Sequence, residues 1–403
     1  MNSAIACIKK LFPTEIHGRI FLVGGAVRDI LLKQETRDID LAAALTPDEF
    51  ITLGFRLVEG RSTSAIWFRH AAEAGIIEVT PLPDTSELAV DLGRRDFSIN
   101  AMAMTLTGEV VDPLDGRSDL DHGLLRACGG RTFVDDPLRI FRAFRFLADG
   151  WTMNADTEGL IREQDWNAAL AAIPVERFSR ELLKAMGMRE PERFYQAMLE
   201  FGVGRSWLPE LFRMPAIPAG PLEHHPEGDL CTHSIQVLQR VAAVTSDPLT
   251  RFCAFFHDIG KLSTSPVLYP RHHGHDQAGF AMAIDFCRRL RLPAQYGTAL
   301  AWVSSLHGTF NLWDQLRDST RIKLAEQAGK AGIAEILPLV AAADKPGGSR
   351  PEEWRTALAT VGLSAGDLGI DLQMLGEMQP SKRGEYIMQQ RIEHFRSTRT
   401  SSI

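Results

Sequence analysis

The sequence predicts an α+β chain in which a mixed α/β amino-terminal part is followed by a long, all-helical remainder. Up to about residue 125, short runs rich in β-branched and aromatic residues alternate with turns. From Arg126 onward the apolar residues follow helical spacing, with few strand signals. Within the helical part, residues 213–229 are rich in proline and glycine, which is typical of a linker or a long loop.

The composition narrows the class of protein. A chain of 403 residues with 45% apolar and 24% charged residues is long enough for several domains with a sizeable core. A formal charge of −7 argues against a uniformly basic nucleic-acid binder but not against a local basic groove. The sequence has no long apolar run, no signal-peptide pattern and no paired metal spacing among its five cysteines. We therefore expect a cytoplasmic protein with reduced thiols and no membrane partner.

The first structural unit is a strand, a glycine turn and a helix. Residues 20–23 form a short apolar run that predicts the strand, and residues 26–33 predict the helix. Between them, Gly24 and Gly25 let the backbone approach a ligand closely because no Cβ is in the way. The first amides of the helix are unpaired and favour an anion such as a triphosphate.

Two aspartates follow on the next predicted strand. Asp38 and Asp40 are two residues apart, so both side chains leave the same face of a strand. Paired carboxylates on a rigid strand suit hard cations, above all Mg²⁺. Taken alone, the pattern is equally compatible with two solvated aspartates.

The rest of the amino-terminal part continues this pattern. Further strands are predicted at residues 55–58, 65–69 and 76–80. A short connection with two prolines, residues 81–90, leads to the charged motif RRDFSIN that begins at Arg94. The AMAM that follows, residues 101–104, is helix-prone.

The helical part opens with a strong start signal. Asp135 is predicted as an N-cap, with Pro137 at the first helical position. Arg139, Arg142 and Arg145 recur at intervals of three, with apolar residues offset between them. Such a helix buries one side and lines a cleft with guanidinium groups on the other.

Later helices are predicted after Pro174, from Pro248 to a stop marked by Gly260, and in the tail at residues 349–360 and 381–395. A second group of chemically active residues lies in this part. Its members are His233, His257, Asp258, His273, His275, His307 and Asp344.

The sequence resembles the class II tRNA nucleotidyltransferases, template-independent enzymes that add C and A to tRNA 3′ ends, and the related bacterial poly(A) polymerases. The motifs that carry the resemblance occur in the order Gly24-Gly25, Arg28, Asp29, Asp38, Asp40, Arg94-Arg95-Asp96, Asp135-Asp136-Pro-Leu-Arg139. The resemblance covers nearly the whole chain. It implies a polymerase-β-like nucleotidyltransferase head with a small mixed sheet, residues 1–125, and a helical neck, 126–212. An HD-type body, 213–346, and a helical tail, 347–403, follow.

The resemblance also implies roles for single residues. Asp38 and Asp40 would be the catalytic carboxylates that hold Mg²⁺. The implied nucleotide-binding residues are Gly24, Gly25, Arg28, Arg95, Asp96, Asn100, Asp136, Arg139, Arg142 and Arg145. Arg142 and Arg145 would also contact phosphates of the tRNA acceptor arm. Glu176, Arg177 and Glu181 match a later motif to which we assign a structural role in bracing the neck.

A base-reading pair can be argued from chemistry. A carboxylate accepts a hydrogen bond from the exocyclic amine of cytosine or adenine, and a guanidinium donates to the adjacent ring nitrogen. Uracil and guanine present the opposite polarity, which costs roughly 1–3 kcal/mol for each unpaired group. Asp136 and Arg139 are therefore expected to select C and A. Asp135 stands where the family usually has glutamate.

The short connection before Arg94 predicts a narrower activity. Family members that add all of CCA carry a much longer flexible loop there, whereas residues 81–90 have little reach or freedom. We expect an enzyme that adds two C residues from CTP and leaves the terminal A to a separate A-adding enzyme. A full CCA-adding enzyme that also uses ATP is the alternative.

The second group resembles the HD phosphohydrolase superfamily. The resemblance maps its metal ligands to His233, His257, Asp258 and Asp344, a nitrogen and oxygen set that suits Mn²⁺, Ni²⁺, Zn²⁺ or Mg²⁺. Phosphatase and 2′,3′-cyclic phosphodiesterase activities are implied for this branch, and whether this copy is active stays open. Further alternatives are an HD phosphohydrolase with an inactive head, a poly(A) polymerase, and a non-catalytic RNA-binding scaffold.

Overall fold

The computed structural model describes residues 3–34, 39–58, 65–71, 75–345 and 353–400. The chain folds as two compact units, Met1–Leu170 and Ala171–Ile403. The first unit contains the sheet and the second is helical. The α+β class predicted from the sequence is confirmed.

A seven-stranded mixed sheet forms the centre of the first unit in the order β3-β4-β5-β2-β1-β6-β7. The strands are β1 Ile20–Val23, β2 Ile39–Ala43, β3 Arg56–Val58, β4 Ile66–Ala71, β5 Gly75–Pro81, β6 Ala103–Thr105 and β7 Val110–Val111. All four residues of β1 are buried, because this apolar strand pairs antiparallel with β2 on one side and β6 on the other. The β2 strand pairs parallel with β5. A separate parallel pair joins β8 Leu124–Leu125 to β9 Thr152–Met153.

Short helices accompany the sheet in the first unit. They are α1 Ser3–Leu11, α2 Gly25–Leu31, α3 Pro47–Thr52, α4 Leu88–Gly93, α5 Gly116–Asp121, α6 Thr132–Asp135, α7 Arg139–Ala148, α8 Ala155–Arg162 and α9 Asn167–Ala171. The prediction of helical structure at residues 101–104 is wrong, because Ala103–Thr105 forms β6. Its backbone pairs with β1 and β7, and this sheet pairing overrides the helical propensity of AMAM.

The predicted N-cap of the neck helix also needs correction. Asp135 ends the short helix α6, where its carboxylate pairs with Arg131 at 2.9 Å. Asp136 is extended, and its Oδ1 accepts from the Leu138 backbone N–H before α7 begins at Arg139. The residue before α7 is Leu138, which makes no side-chain cap, so the side chain of Asp135 does not cap the neck helix.

The second unit consists of packed helices. They are α10 Val175–Met186, α11 Glu192–Phe201, α12 Pro209–Arg213, α13 Leu230–Ala242, α14 Pro248–Phe256, α15 His275–Arg289, α16 Ala294–Phe310, α17 Asp318–Lys330, α18 Ile336–Asp344, α19 Trp354–Gly362, α20 Leu372–Glu377 and α21 Pro380–Thr400. Within the described ranges, each helix is too short or too polar to span a membrane.

The helix predicted from Pro248 is confirmed, but its end is not where Gly260 suggested. The Asp247 carboxylate accepts from the Thr250 N–H and caps α14, which ends at Phe256. A 3₁₀ helix, Ile259–Ser263, follows directly. Gly260 lies inside it and allows a close packing contact instead of stopping a helix.

Candidate functional sites

The first site lies at one end of β1 and β2. Asp40 is paired in register with Val23 on β1 and with Glu78 on β5, so its carboxylate has a second acidic residue beside it on the same face of the sheet. Asp38, predicted as the other metal ligand, lies outside the described residues. Asp40 and Glu78 are oxygen donors of the kind that Mg²⁺ prefers, and the assignment of Asp40 to a metal ion stays a prediction.

Gly24 is the point where the backbone passes between charged groups. Its φ is +71°, a left-handed value that favours glycine. A Cβ at this position would lie 3.1 Å from Arg95 Nη1 and 3.5 Å from Asp40 Oδ2. The turn predicted from Gly24 and Gly25 is confirmed, and it brings the Arg95 guanidinium and the Asp40 carboxylate to the same side of the turn.

A hydrogen-bond network joins the predicted triphosphate and ribose residues. Arg28 donates from Nη1 to Asn100 Oδ1 at 2.6 Å and from Nη2 to Asp29 Oδ1 at 2.8 Å. Asn100 in turn donates from Nδ2 to Asp96 Oδ1 at 3.2 Å. Arg95 pairs with Asp91 at 2.9 Å. The structure thus gathers side chains 72 residues apart in sequence around the Gly24 turn.

Asp96 is the buried centre of this network. Its carboxylate accepts from the Phe97 N–H and lies 2.6 Å from Arg142 Nη2. Burial alone raises the pKa of Asp96, but the Arg142 guanidinium and the Asn100 hydrogen bond outweigh it and lower that pKa below its ordinary value of 3.8. Asp96 is therefore ionised at neutral pH and links the loop before β6 to α7.

The predicted base-reading residues flank the start of α7. Arg139 donates from Nη2 to the backbone carbonyl of Arg94 at 2.7 Å and from Nη1 to that of Thr132 at 3.1 Å. Asp136 precedes Pro137 at the extended junction described above. The guanidinium of Arg145 lies 4.9 Å from the ring centroid of Phe146. The assignment of Arg139, Asp136, Arg142 and Arg145 to nucleotide or tRNA stays a prediction.

The second site is a cluster of histidines and carboxylates in the helical unit. Each of the four predicted ligands, His233, His257, Asp258 and Asp344, contributes one ligand atom, and these atoms all lie within 4.8 Å of one another. His233 Nε2 lies 3.1 Å from Asp344 Oδ1, and His257 Nε2 lies 3.2 Å from Asp258 Oδ2. These side chains come from α13, α18 and the end of α14. The structure therefore brings together all four residues that the resemblance implied.

Hydrogen bonds aim the histidine rings of this cluster. His233 donates from Nδ1 to Glu227 Oε1 at 2.7 Å, and His257 donates from Nδ1 to the Ala254 carbonyl at 2.8 Å. When these rings are neutral, their Nε2 atoms carry a lone pair toward the carboxylates, the arrangement usual in metal-binding histidines. Both Nε2 atoms are buried without a hydrogen-bond partner among the described residues, so the residues present fit a divalent cation.

The charges of the cluster point the same way. Burial lowers the pKa of His257, yet the adjacent carboxylates of Asp258 and Asp344 raise it to about 10. Burial raises the pKa of Asp258, but the Lys261 ammonium and the His257 ring hold it well below its ordinary value. The two carboxylates thus stay ionised, and in the absence of a metal ion a proton on His257 supplies positive charge beside them. A divalent cation bound at Nε2 would take the place of that proton.

Sequence reasoning missed three residues around this cluster. Glu227 orients His233 from a loop that the sequence marked as a linker. Lys261 is buried and pairs with Asp258 Oδ2 at 2.6 Å. Asn311 donates to Asp344 Oδ2 at 2.8 Å. Lys261 had a signal, a lysine among apolar residues three positions after Asp258, whereas Glu227 and Asn311 had none.

The neck motif lies on α10. Glu181 is buried, and Glu176 pairs with Arg291 at 3.1 Å. Arg177 lies in the first turn of the helix, where its N–H donates to the Pro174 carbonyl. The structural role assigned to these three residues stays a prediction.

The two sites define a class of protein in which a nucleotidyltransferase head is joined to an HD domain. The Poly A polymerase head domain family matches residues 20–82 and 66–126, and the HD domain family matches residues 230–345. The chain is 34% identical over 330 residues to the multifunctional CCA protein of Methylococcus capsulatus, covering 77% of both chains. It belongs to the family of class II tRNA nucleotidyltransferases that carry an HD domain.

Solved structures show the same fold. The Bacillus stearothermophilus CCA-adding enzyme in complex with CTP matches with a TM-score of 0.66 and 23% identity, covering 96% of this chain and 91% of that one. The Thermotoga maritima CCA-adding enzyme complexed with tRNA matches with a TM-score of 0.64 and 20% identity, covering 98% and 94%. The predicted family and fold are confirmed.

Proposed function

We propose that this chain adds two C residues from CTP to the 3′ end of tRNA and stops before the terminal A. The 3′-hydroxyl oxygen attacks the α-phosphorus, a phosphodiester bond forms, and the bond to the β-phosphate breaks to release pyrophosphate. The partners are tRNA and CTP, and a separate enzyme would add the A. Nucleotidyl transfer in tRNA CCA synthesis is the activity of the family; the restriction to C is our proposal.

The segment between β5 and Arg94 carries this restriction. Leu82, Leu88 and Leu92 are buried in one apolar cluster with residues of the sheet, among them Phe21 and Val23. Asp84 accepts from the Ser86 N–H, and α4 begins at Leu88. Burying each leucine is worth about 1.5–3 kcal/mol, so the connection is held against the sheet. A segment anchored in this way has little freedom to reshape the nucleotide pocket for ATP.

The head residues would act by position and charge. Mg²⁺ held by Asp38 and Asp40 would activate the 3′-hydroxyl and neutralise charge on the departing pyrophosphate. Arg28 and Arg95, whose guanidinium groups lie beside Gly25 and Gly24 respectively, would bind triphosphate oxygens through their forked N–H groups. Asp96 and Asn100 would receive the ribose hydroxyls.

Base selection would fall to Asp136 and Arg139. Their carboxylate and guanidinium match the donor and acceptor edge of cytosine and oppose that of uracil. Arg139 would exchange its backbone partners, the carbonyls of Arg94 and Thr132, for the base. Arg142 and Arg145 would steer tRNA phosphates, which makes binding strongly salt-dependent.

Sequencing the 3′ ends of the tRNA products tests the proposal. A tRNA transcript lacking CCA is incubated with CTP alone, with ATP alone, or with both, and Asp40→Asn serves as the inactive control. We expect ends in CC with CTP alone and with both nucleotides. Ends in CCA would establish the alternative, a full CCA-adding enzyme. Extension of an unrelated RNA with ATP alone would indicate a poly(A) polymerase.

A second candidate activity is favoured by the unpartnered Nε2 atoms of His233 and His257. We propose that the HD domain hydrolyses phosphate esters at RNA ends, including 2′,3′-cyclic phosphates. A divalent cation at His233, His257, Asp258 and Asp344 would activate the attacking water. Phosphate release that survives Asp40→Asn but not His257→Gln would support it. If this were the only activity of the chain, the head would be inactive.

A further inference from the structure

A cavity lined by arginines lies between α17 and α21 in the helical unit. Its volume is about 560 Å³, and the arginines of its lining are Arg317, Arg321, Arg396 and Arg399. Pockets of roughly 300–1,000 Å³ are of the size that holds small molecules. We propose that this cavity binds a compact phosphate-bearing anion, of the class of pyrophosphate or a nucleotide. None of its lining residues belongs to the nucleotide site of the head or to the HD cluster.

One aspartate brings three of these arginines together. Asp318, the first residue of α17, accepts from Arg396 Nε at 3.1 Å and from Arg399 Nη1 at 3.3 Å. The Nη1 atom of Arg321 lies 3.7 Å from the same carboxylate. Arg396 and Arg399 belong to the last turns of α21, 78 and 81 residues after Asp318. The three guanidinium groups are therefore held beside one another before a ligand binds, which lowers the entropic cost of binding.

Arg321 is the most firmly fixed of the four, and its side chain is only 7% exposed. It donates from Nε to the Trp313 carbonyl at 3.1 Å and from Nη1 to Glu353 Oε2 at 3.1 Å. Its guanidinium also lies 5.5 Å from the ring centroid of the fully buried Trp313. Arg321 thus forms a fixed, charged wall of the cavity, and Glu353 balances its charge from outside the lining.

Positive charge exceeds negative charge around the cavity. The carboxylates of the lining are Asp314 and Asp318, so the four arginines leave a net charge of two positive units. When Glu353 is counted as well, one positive unit remains. Arg317 is exposed and makes no side-chain hydrogen bond or ion pair within the described part of the chain. Its forked N–H groups match the oxygens of a phosphate group.

The backbone at the start of α17 adds donors to the same space. The helix begins at Asp318 without a side-chain cap, and the Asp318 carboxylate is instead bonded to the two arginines of α21. The first amides of a helix have no acceptor within the helix and favour an anion. Ser319, the second residue of α17, lines the cavity. Guanidinium groups and helix amides therefore border one cavity.

The distribution of charge favours a compact anion over an RNA backbone. A protein that binds nucleic acid neutralises its phosphates with a continuous basic strip. Here Asp314 lies among the arginines of the lining, and the exposed Glu385 and Glu393 interrupt the basic residues of α21. Leu316 and Ile392 add an apolar part to the lining, which suits the base or the ribose of a nucleotide.

Amide hydrogen exchange of the full chain locates binding directly. Exchange is followed by mass spectrometry in a buffer that contains a chelator, without ligand, with inorganic pyrophosphate and with CTP. We expect exchange in the peptides that cover residues 313–321 and 389–399 to slow several-fold with ligand. A larger effect of CTP at equal concentration would assign the cavity to a nucleotide, and equal effects would assign it to the phosphate groups alone. Peptides of the head report CTP binding there separately, so failure of the proposed function would not change this result.

Arg317→Ala tests the cavity with little risk to the fold, because Arg317 is exposed and pairs with no carboxylate of the described residues. The pyrophosphate concentration that gives half-maximal slowing should rise roughly tenfold, because a charge-assisted hydrogen bond is lost. Arg355→Ala is the matched control, since Arg355 is an exposed arginine of α19 outside the lining. It should behave as the unsubstituted chain does.

Exchange at residues 313–321 and 389–399 that does not change with pyrophosphate or CTP would overturn the proposal. So would the same concentration dependence in Arg317→Ala and Arg355→Ala. A tRNA lacking CCA is added in a further arm. Slowing by this tRNA but not by pyrophosphate or CTP would also overturn the proposal, because the cavity would then contact RNA.

Discussion

The carboxylates of the two sites differ in the hydrogen-bond and ion-pair partners that balance their charge. In the head, Asp96 accepts from Asn100 and the Phe97 N–H and pairs with Arg142, and Asp91 pairs with Arg95. In the helical unit, Asp258 Oδ1 and the Nε2 atoms of His233 and His257 have no hydrogen-bond partner within the described part of the chain. The charges of Asp96 and Asp91 in the head are thus balanced by ion pairs within the protein, and we expect this site to bind its substrate reversibly. The HD cluster suits a resident cation.

The largest expected effect is the loss of one activity, but not the other, when a single site is substituted. Asp40→Asn should lower nucleotidyl transfer by on the order of 10³-fold, because it removes a charge that holds the metal on the triphosphate. Phosphate release by the HD domain should be unchanged. His257→Gln should lose phosphate release and keep nucleotidyl transfer unchanged. Incorporation of labelled CTP and release of phosphate are measured on the same preparations, and a variant that loses both activities would contradict two independent sites.

Removal of metal ions should lower the thermal stability of the chain through the HD cluster and not through the head. If the HD cluster holds a cation at about 100 times its dissociation constant, binding stabilises the fold by about 2.7 kcal/mol. A chelator should then lower the melting temperature by roughly 5–10 °C. Calorimetry of the parent, Asp40→Asn and His257→Gln checks this. The melting temperatures of the parent and Asp40→Asn should fall by the same amount, and that of His257→Gln should change little. An equal fall in all three proteins would contradict a metal ion bound at the HD cluster.

The smallest expected effect concerns the ion pair in the head. Asp96→Asn should lower the free energy of unfolding at pH 7 by roughly 1–3 kcal/mol, because Arg142 loses its charged partner. Since the pKa of Asp96 is depressed in the fold, this contribution is present above about pH 4 and is lost as the pH falls through the folded-state pKa. Urea unfolding between about pH 3 and 7 checks it.

In that experiment the exposed Asp121→Asn is the control and should match the parent at every pH. A difference between Asp96→Asn and the parent that stays constant down to the lowest pH would show that the carboxylate does not act through its charge.

Local chemistry made part of this architecture predictable. The turn at Gly24, the strand of Asp40 and the capped start of α14 follow from signals within a few residues. The strand β6 could not be predicted, because its state is decided by pairing with β1, far earlier in the chain.

Two further features depend on contacts that the local sequence does not encode. Asp258 and His275 approach each other because Gly260 packs against α15. Asp135 does not cap α7, because it is the last residue of α6, where its carboxylate pairs with Arg131.

Asp136 and Arg139 are proposed to take the place of a template base, and base selection by this chain depends on them. The most direct test of this proposal is the ratio of kcat/KM for CTP to that for UTP, measured for the parent, Asp136→Ala and Arg139→Ala. Asp135→Ala, whose side chain pairs with Arg131, is the control. We expect the ratio to fall roughly tenfold or more in Asp136→Ala and Arg139→Ala and to be unchanged in the control. A ratio that stays at the parent value in both would contradict it.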